Sequence, residues 1–145
     1  MKKLILILLI IVSPIVHSEE VKLSCQITNK QEYSNVEKPV ISNYVDVVSI
    51  EDDGLTKYIT MTKTNISIIT LKTNKDVITD TSDSTKWDIS ITTNHPDRTI
   101  MKSIRIDRNI GKIWYTFDVV YETGLFSMEK GEGNCKKVDV TKKKF

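Results

Sequence analysis

Residues 104–121 read IRIDRNIGKIWYTFDVVY, and this stretch decides the fold class. Ile104 and Ile106, then Ile113, Tyr115, Phe117, Val119 and Tyr121, recur at every second position. That is the period of a strand with one buried face, not of a helix. Between the two runs stand Asp107, Asn109 and Gly111. Two of these supply side-chain acceptors for local backbone donors, and the third takes positive φ without steric cost, so the stretch predicts a β-hairpin.

The same period extends in both directions. Upstream, Val21, Leu23, Cys25 and Ile27 alternate with polar residues as a first strand. Asn29 to Pro39, which contains Tyr33, reads as a long, mobile, partner-facing loop. Val40 to Ile50 is rich in β-formers, but Tyr44, Val48 and Ile50 share a face with Asp46 while Val45 and Val47 take the other, which predicts a bulge or burial on both faces. Leu55 to Thr62 returns after a Glu51–Gly54 turn, and Ile66, Ile68, Ile69 and Leu71 make a further strand with a slip of phase. Val77 and Ile78 form a short strand. Trp87, Ile89 and Ile91 alternate with polar residues, which places Trp87 in the core.

Downstream of Tyr121, Glu122-Thr123-Gly124 predicts a turn, Leu125 to Met128 a strand, and Glu129 to Gly133 another turn. A last strand then runs from Cys135 through Val138 and Val140, and Lys142 to Phe145 reads as a frayed, solvated end. No window shows helical spacing. The expectation is therefore a single all-β domain of about eight to ten short strands, a small antiparallel β-barrel or β-sandwich. Strand order is invisible to periodicity.

Residues 1–18, MKKLILILLIIVSPIVHS, carry two lysines, an apolar run from Leu4 to Val12, Pro14, and small residues before Glu19. This is the pattern of a secretory signal peptide cleaved after Ser18, leaving residues 19–145 as the domain, periplasmic or secreted. A retained anchor fits less well, because Pro14 and the two glutamates follow too soon. A lipoprotein fits less well still, because Cys25 lies far beyond the apolar run. Lys2 and Lys3 leave with the leader, so the 21 basic and 19 acidic residues of the full chain become 19 of each. A neutral chain has no electrostatic footprint for nucleic acid.

The two cysteines, Cys25 and Cys135, stand near opposite ends of the exported chain. An oxidising compartment and an even count predict a disulfide between them, which brings the first and last strands together. A metal pair or a redox pair fits poorly, since no histidine is near and neither cysteine sits in a C-x-x-C.

The segment Ile104-Arg105-Ile106-Asp107-Arg108-Asn109-Ile110-Gly111, taken with Gly133-Asn134-Cys135-Lys136, resembles a pattern of small exported bacterial proteins. In those, an Ile-Asp/Asn-Arg-x-Thr-Gly turn precedes a Gly-x-Cys near the end. Ile110 stands where that pattern has threonine, and the match covers the last third of the exported chain. The resemblance implies export and a terminal disulfide and no activity. In layout the chain is also similar to small disulfide-tied barrels that inhibit lysozymes or proteases, a likeness of fold alone.

Chemistry-bearing constellations are scarce. His95, between Asn94 and Pro96, is the one histidine after the leader, which leaves a triad or a zinc site without partners. The acidic turns Glu51–Gly54 and Asp80–Ser84 lack the acid spacing of a calcium loop and read as Asx turns. Asn65-Ile66-Ser67 matches a glycosylation acceptor but falls in a strand behind a bacterial-looking leader. No catalytic residue, metal ligand or cofactor is assigned, and no ligand-binding set is singled out.

Trp114 lies on the face opposite Ile113 and Tyr115 and would be exposed beside Thr116 and Asp118. An exposed tryptophan is a binding anchor, whereas one packed under a loop or a neighbouring strand, the more ordinary arrangement, is not. The reading is a non-enzymatic binding or inhibitor-like module for a protein or small ligand. The alternative is a small hydrolase with paired carboxylates, one pKa depressed and one raised. A membrane barrel is disfavoured by strands expected to be short and charged.

Overall fold

The computed structural model describes residues 19–138 apart from 65 and 72. The leader, the end of the last expected strand and Asn65 lie outside the described residues. Nine strands follow one another: β1 (Glu19–Tyr33), β2 (Val40–Asp52), β3 (Lys57–Met61), β4 (Ile66–Ile69), β5 (Asp76–Asp80), β6 (Lys86–Asn94), β7 (Arg98–Asp107), β8 (Lys112–Tyr121) and β9 (Phe126–Lys137). They form one curled antiparallel sheet in the order β4-β3-β2-β1-β9-β8-β7-β6-β5. Every consecutive pair is hydrogen-bonded except β4 with β5.

Strand count explains that gap. All eight ladders are antiparallel, including β1 with β9, so alternating directions around the sheet leave β4 and β5 running the same way. A parallel pair needs a crossover of a dozen residues or so, and only 70–75 join these two strands. The sheet curls without closing its ladder. Side chains span the seam instead: Lys57 on β3 reaches Asp80 on β5 at 2.5 Å, and the Lys102 Nζ on β7 donates to the Ser67 carbonyl on β4 at 3.3 Å.

The concave face holds the core. Val21, Leu23, Cys25 and Ile27 from β1, Val48 and Ile50 from β2, Ile89 and Ile91 from β6, Ile104 and Ile106 from β7, and Ile113 and Tyr115 from β8 are all buried there. The hairpin of residues 104–121 forms as its sequence predicts. The Asp107 carboxylate accepts from the Asn109 and Ile110 amides at 2.9 and 3.0 Å, and Gly111 closes the turn at φ 65°.

Four local expectations are corrected. Asn29 to Tyr33 is not loop but the upper part of β1, because β1 is a central strand laddered on both sides, to β2 and to β9. Glu129 to Gly133 is not a turn: β9 runs unbroken through it, and its glycines serve packing. A Cβ at Gly131 would lie 2.1 Å from the Tyr115 ring. In β2 there is neither a bulge nor burial on both faces. Val45 and Val47 are 55% and 42% exposed, while Asp46 is 1% exposed and accepts from the amides of Val47, Lys63 and Thr64 at 2.7, 2.8 and 3.3 Å. β4 shows no slip of phase, since Ile66 and Ile68 are buried and Ile69 is exposed.

Among the described residues no helix is long and apolar enough to cross a membrane. The strands are longer than expected, β1 with 15 residues and β2 with 13. Their polarity runs opposite to that of a membrane barrel: β1 turns Lys22, Ser24, Gln26, Thr28 and Lys30 outward and its apolar residues inward.

Cys25 and Cys135 form a disulfide and are direct partners in the β1–β9 ladder. The first and last strands are indeed neighbours, but they meet in the middle of the sheet rather than at its seam. An all-β domain tied by a disulfide is compatible with an extracellular location.

Candidate functional site

Because Ile113 and Tyr115 point into the core, Trp114 between them points outward. The continuous register then fixes its neighbours. Trp114, Glu132, Thr28 and Asn43 stand in one row across β8, β9, β1 and β2, and Lys112, Asn134, Gln26 and Val45 stand in the next. Both rows line a groove of about 500 Å³ on the outer face. At about 4.8 Å per strand, three strand spacings make it about 14 Å across.

The groove is polar but nearly without net charge. Lys112 and Glu132 offset one another, and the remaining outward groups are three primary amides (Gln26, Asn43 and Asn134), the Thr28 hydroxyl, Val45 and the indole. The Thr28 hydroxyl donates to the Asn43 Oδ1 at 2.8 Å, which orients that amide with its NH2 free. Its floor is rigid. The Cys25–Cys135 disulfide joins the two central strands one residue from Gln26 and Asn134.

Two cations lie over the indole at long range. The Arg105 guanidinium and the Lys112 ammonium lie 5.9 and 6.0 Å from its centroid, at the limit of a cation–π contact. The second tryptophan is treated differently. Trp87 is 4% exposed, and Arg108 covers it at 4.2 Å while pairing with Glu19 at 2.7 Å. A recess of about 410 Å³ beside Trp87 therefore has its aromatic face already occupied.

Behind the groove, on the concave face, lies a polar cluster. Tyr44 and Tyr115 share a hydrogen bond at 2.7 Å, and the Tyr115 hydroxyl and the Asn29 Nδ2 both donate to the Glu129 carboxylate, at 3.2 and 2.9 Å. Burial raises the Tyr115 pKa far above the phenol range, and the bond to Tyr44 and the Glu129 charge raise it further. Burial raises Tyr44 as well, outweighing the bond to Tyr115. Both stay phenols at every ordinary pH, so the cluster braces the sheet and has no ready base or nucleophile among its tyrosines.

Asp118 is raised by burial, and its buried Oδ1 lacks a hydrogen-bond partner. It lies on the outer face of β8. Asp76, lowered by the hydroxyls of Thr73 and Thr93, sits on β5 with the inward set of Ile78 and Ile91. Asp76 thus stands on the face opposite Asp118, whereas Glu32, lowered by Lys30, shares the outer face and the register row of Asp118, two strands away across Met128.

The acidic turns act as Asx turns. Asp53 accepts from the Leu55 and Thr56 amides, and Asp83 from those of Thr85 and Lys86. His95 sits at its turn with its backbone amide on the Arg98 carbonyl at 2.8 Å. Among the described residues no three His, Cys, Asp or Glu side chains are grouped to hold a metal ion.

Sequence reading singled out Trp114 and Cys25–Cys135 but missed Gln26, Thr28, Asn43, Glu132 and Asn134. Only the register between β2, β1 and β9 brings them to the indole. A scan against protein-family models and a search of curated proteins find no match to this chain.

Proposed function

We propose that this chain is an exported, non-enzymatic binding module, periplasmic or secreted, that takes its ligand on the outer face of the sheet around Trp114. The observation that carries the reading is the groove itself. An indole whose cations approach no closer than 5.9 Å stands among three amides, one of them oriented by Thr28, over two strands fixed by a disulfide. Aromatic anchors of this kind supply contact area at little cost in conformational entropy, and a rigid floor lowers the ordering cost of binding. The leader pattern of residues 1–18 and the resemblance of Ile104–Gly111 and Gly133–Lys136 to small exported bacterial proteins support the location.

The test places a benzophenone amino acid at Thr28, within the groove, or at Ser90, outward on β6 and away from it, in cells that export the protein. Benzophenone inserts into C–H bonds of any organic ligand. Irradiation is expected to give an adduct of defined mass from position 28 and none from position 90, on a protein lacking its first 18 residues. The adduct should vanish with Trp114→Ala. Adducts from neither position, or equally from both, would sink the assignment of this face.

A further inference from the structure

We infer that the Trp114 groove is built for an uncharged oligosaccharide, two to three sugar rings long. The inference rests on the reading of this groove as the binding face and goes on to assign its ligand class. Three features select that class together.

The first is the flat apolar surface. A pyranose presents a face of C–H bonds carrying partial positive charge, and the face of an indole is electron-rich. Trp114 offers such a face at one end of the groove, with Arg105 and Lys112 over the ring only at 5.9 and 6.0 Å, the outer limit of a cation–π contact. By contrast, the ring of Trp87 is taken by Arg108 at 4.2 Å.

The second is the hydrogen-bonding inventory. A sugar hydroxyl both donates and accepts, so its best partners are groups that offer both functions from one rigid plane. Primary amides do this, with a carbonyl oxygen and an NH2 side by side. Gln26, Asn43 and Asn134 bring three of them to one groove, with the Glu132 carboxylate as a strong acceptor. Asn43 is held in place by Thr28 at 2.8 Å and keeps its two donors for a ligand.

The third is charge. Phosphorylated or sulfated ligands call for a cluster of cations, and a basic peptide calls for a cluster of acids. Lys112 and Glu132 are one of each, with Arg105 a single further cation at the indole, so neither sign forms a cluster and the groove suits a neutral polyhydroxylated molecule. The span of about 14 Å from Trp114 to Asn43 accommodates a short chain rather than one ring.

The experiment follows the indole N–H resonances of 15N-labelled protein, residues 19–145, while neutral trisaccharides are added to about 5 mM, a range that reports weak binding. The probes are the β-1,4-linked trimers of glucose, N-acetylglucosamine and mannose and the α-1,4-linked trimer of glucose. At least one is expected to move the Trp114 signal in a saturable way and leave Trp87 in place. Trp114→Ala should weaken that binding at least tenfold, read from the surrounding amides. Asn43→Ala, an exposed change that leaves the core intact, should weaken it severalfold and serves should the tryptophan variant misfold.

No saturable shift with any of the four, or binding unchanged by both variants, overturns the saccharide assignment. In that event a groove-specific benzophenone adduct of peptide mass would leave the binding-face reading standing. Absence of both the shift and the adduct would overturn the two together.

Discussion

The two tryptophans of this protein sit on opposite faces of the same sheet and have opposite surroundings. Trp87 points inward from β6, is buried against the apolar core, and has its exposed edge covered by Arg108, which Glu19 holds in turn. Trp114 points outward from β8, partly exposed, among amides and a hydroxyl that have few partners of their own. The concave face is specified by packing, so each residue there is fixed by its neighbours. The convex face is not required for folding in the same way, and an aromatic residue with a groove beside it is surface that the fold itself does not use.

The contrast can be broken most directly by truncating each indole. Trp87→Ala should cost about 4 kcal/mol of unfolding free energy, since it removes a buried aromatic and leaves a cavity. Trp114→Ala should cost about 1 kcal/mol or less, as a partly exposed position does. Urea unfolding followed by circular dichroism checks both, and equal losses would place Trp114 in the structural set.

The disulfide joins the two faces, because its Cys25 half is buried in the core while the bond pins the floor of the groove. Replacing Cys25 and Cys135 together by serine should lower stability by about 3 kcal/mol, with the groove loosened. Thermal unfolding with and without reductant would read the same loss in the native chain. An unchanged midpoint under reduction would show that the ladder alone holds β1 to β9.

Gly131→Ala tests the packing beneath the site. Its Cβ would sit 2.1 Å from a Tyr115 ring carbon, so the ring must move and its bonds to Tyr44 and Glu129 must lengthen. The expected loss is about 2 kcal/mol. A crystal structure or tyrosine resonances unaltered by the change would rule this packing out.

The smallest effect has the opposite sign. The folded-state pKa of Asp118 is raised by burial, so the folded protein holds that proton more tightly than the unfolded chain does. Stability from this group is therefore greatest below the ordinary carboxyl pKa and falls as pH rises through the raised value. Asp118→Asn should then stabilise the protein at neutral pH by about 1 kcal/mol, and the gain should shrink in acid. Asp76 works the other way: hydroxyl bonds from Thr73 and Thr93 lower it, and its contribution is present above the ordinary carboxyl pKa and lost as pH falls through the lowered one. Unfolding midpoints of both proteins across the acid range check the sign.

Much of the fold was legible because strand period is a local property. The alternation of Ile104 to Tyr121, the Gly111 turn, Trp87 in the core and the Cys25–Cys135 bond all follow from neighbours in sequence or from compartment chemistry. The misreadings arose where a residue type signals one thing locally and is used for another at long range. Gly131 and Gly133 read as a turn, but they are the space into which Tyr115 and the β1 backbone fit. Asp46 read as a disturbance of register, yet it is a buried acceptor for a turn 17 residues away. Asn29 to Tyr33 read as loop, because polar side chains do not reveal that both backbone edges are laddered. The candidate site was legible only as Trp114, since its other members come from three strands whose register no periodicity can give.

The place of β1 between β2 and β9 has a consequence for the order in which the protein comes into being. β1 is the first of the nine strands to be synthesised and β9 the last, their cysteines 110 residues apart. The meanders of β1 to β4 and of β5 to β8 can zip as they emerge, but the β1–β9 ladder in the middle of the sheet waits for β9. Such long-range pairing is slow, and until it is made the protein consists of two wings with open edges. A chain stopped before β9 would lose its centre rather than its margin.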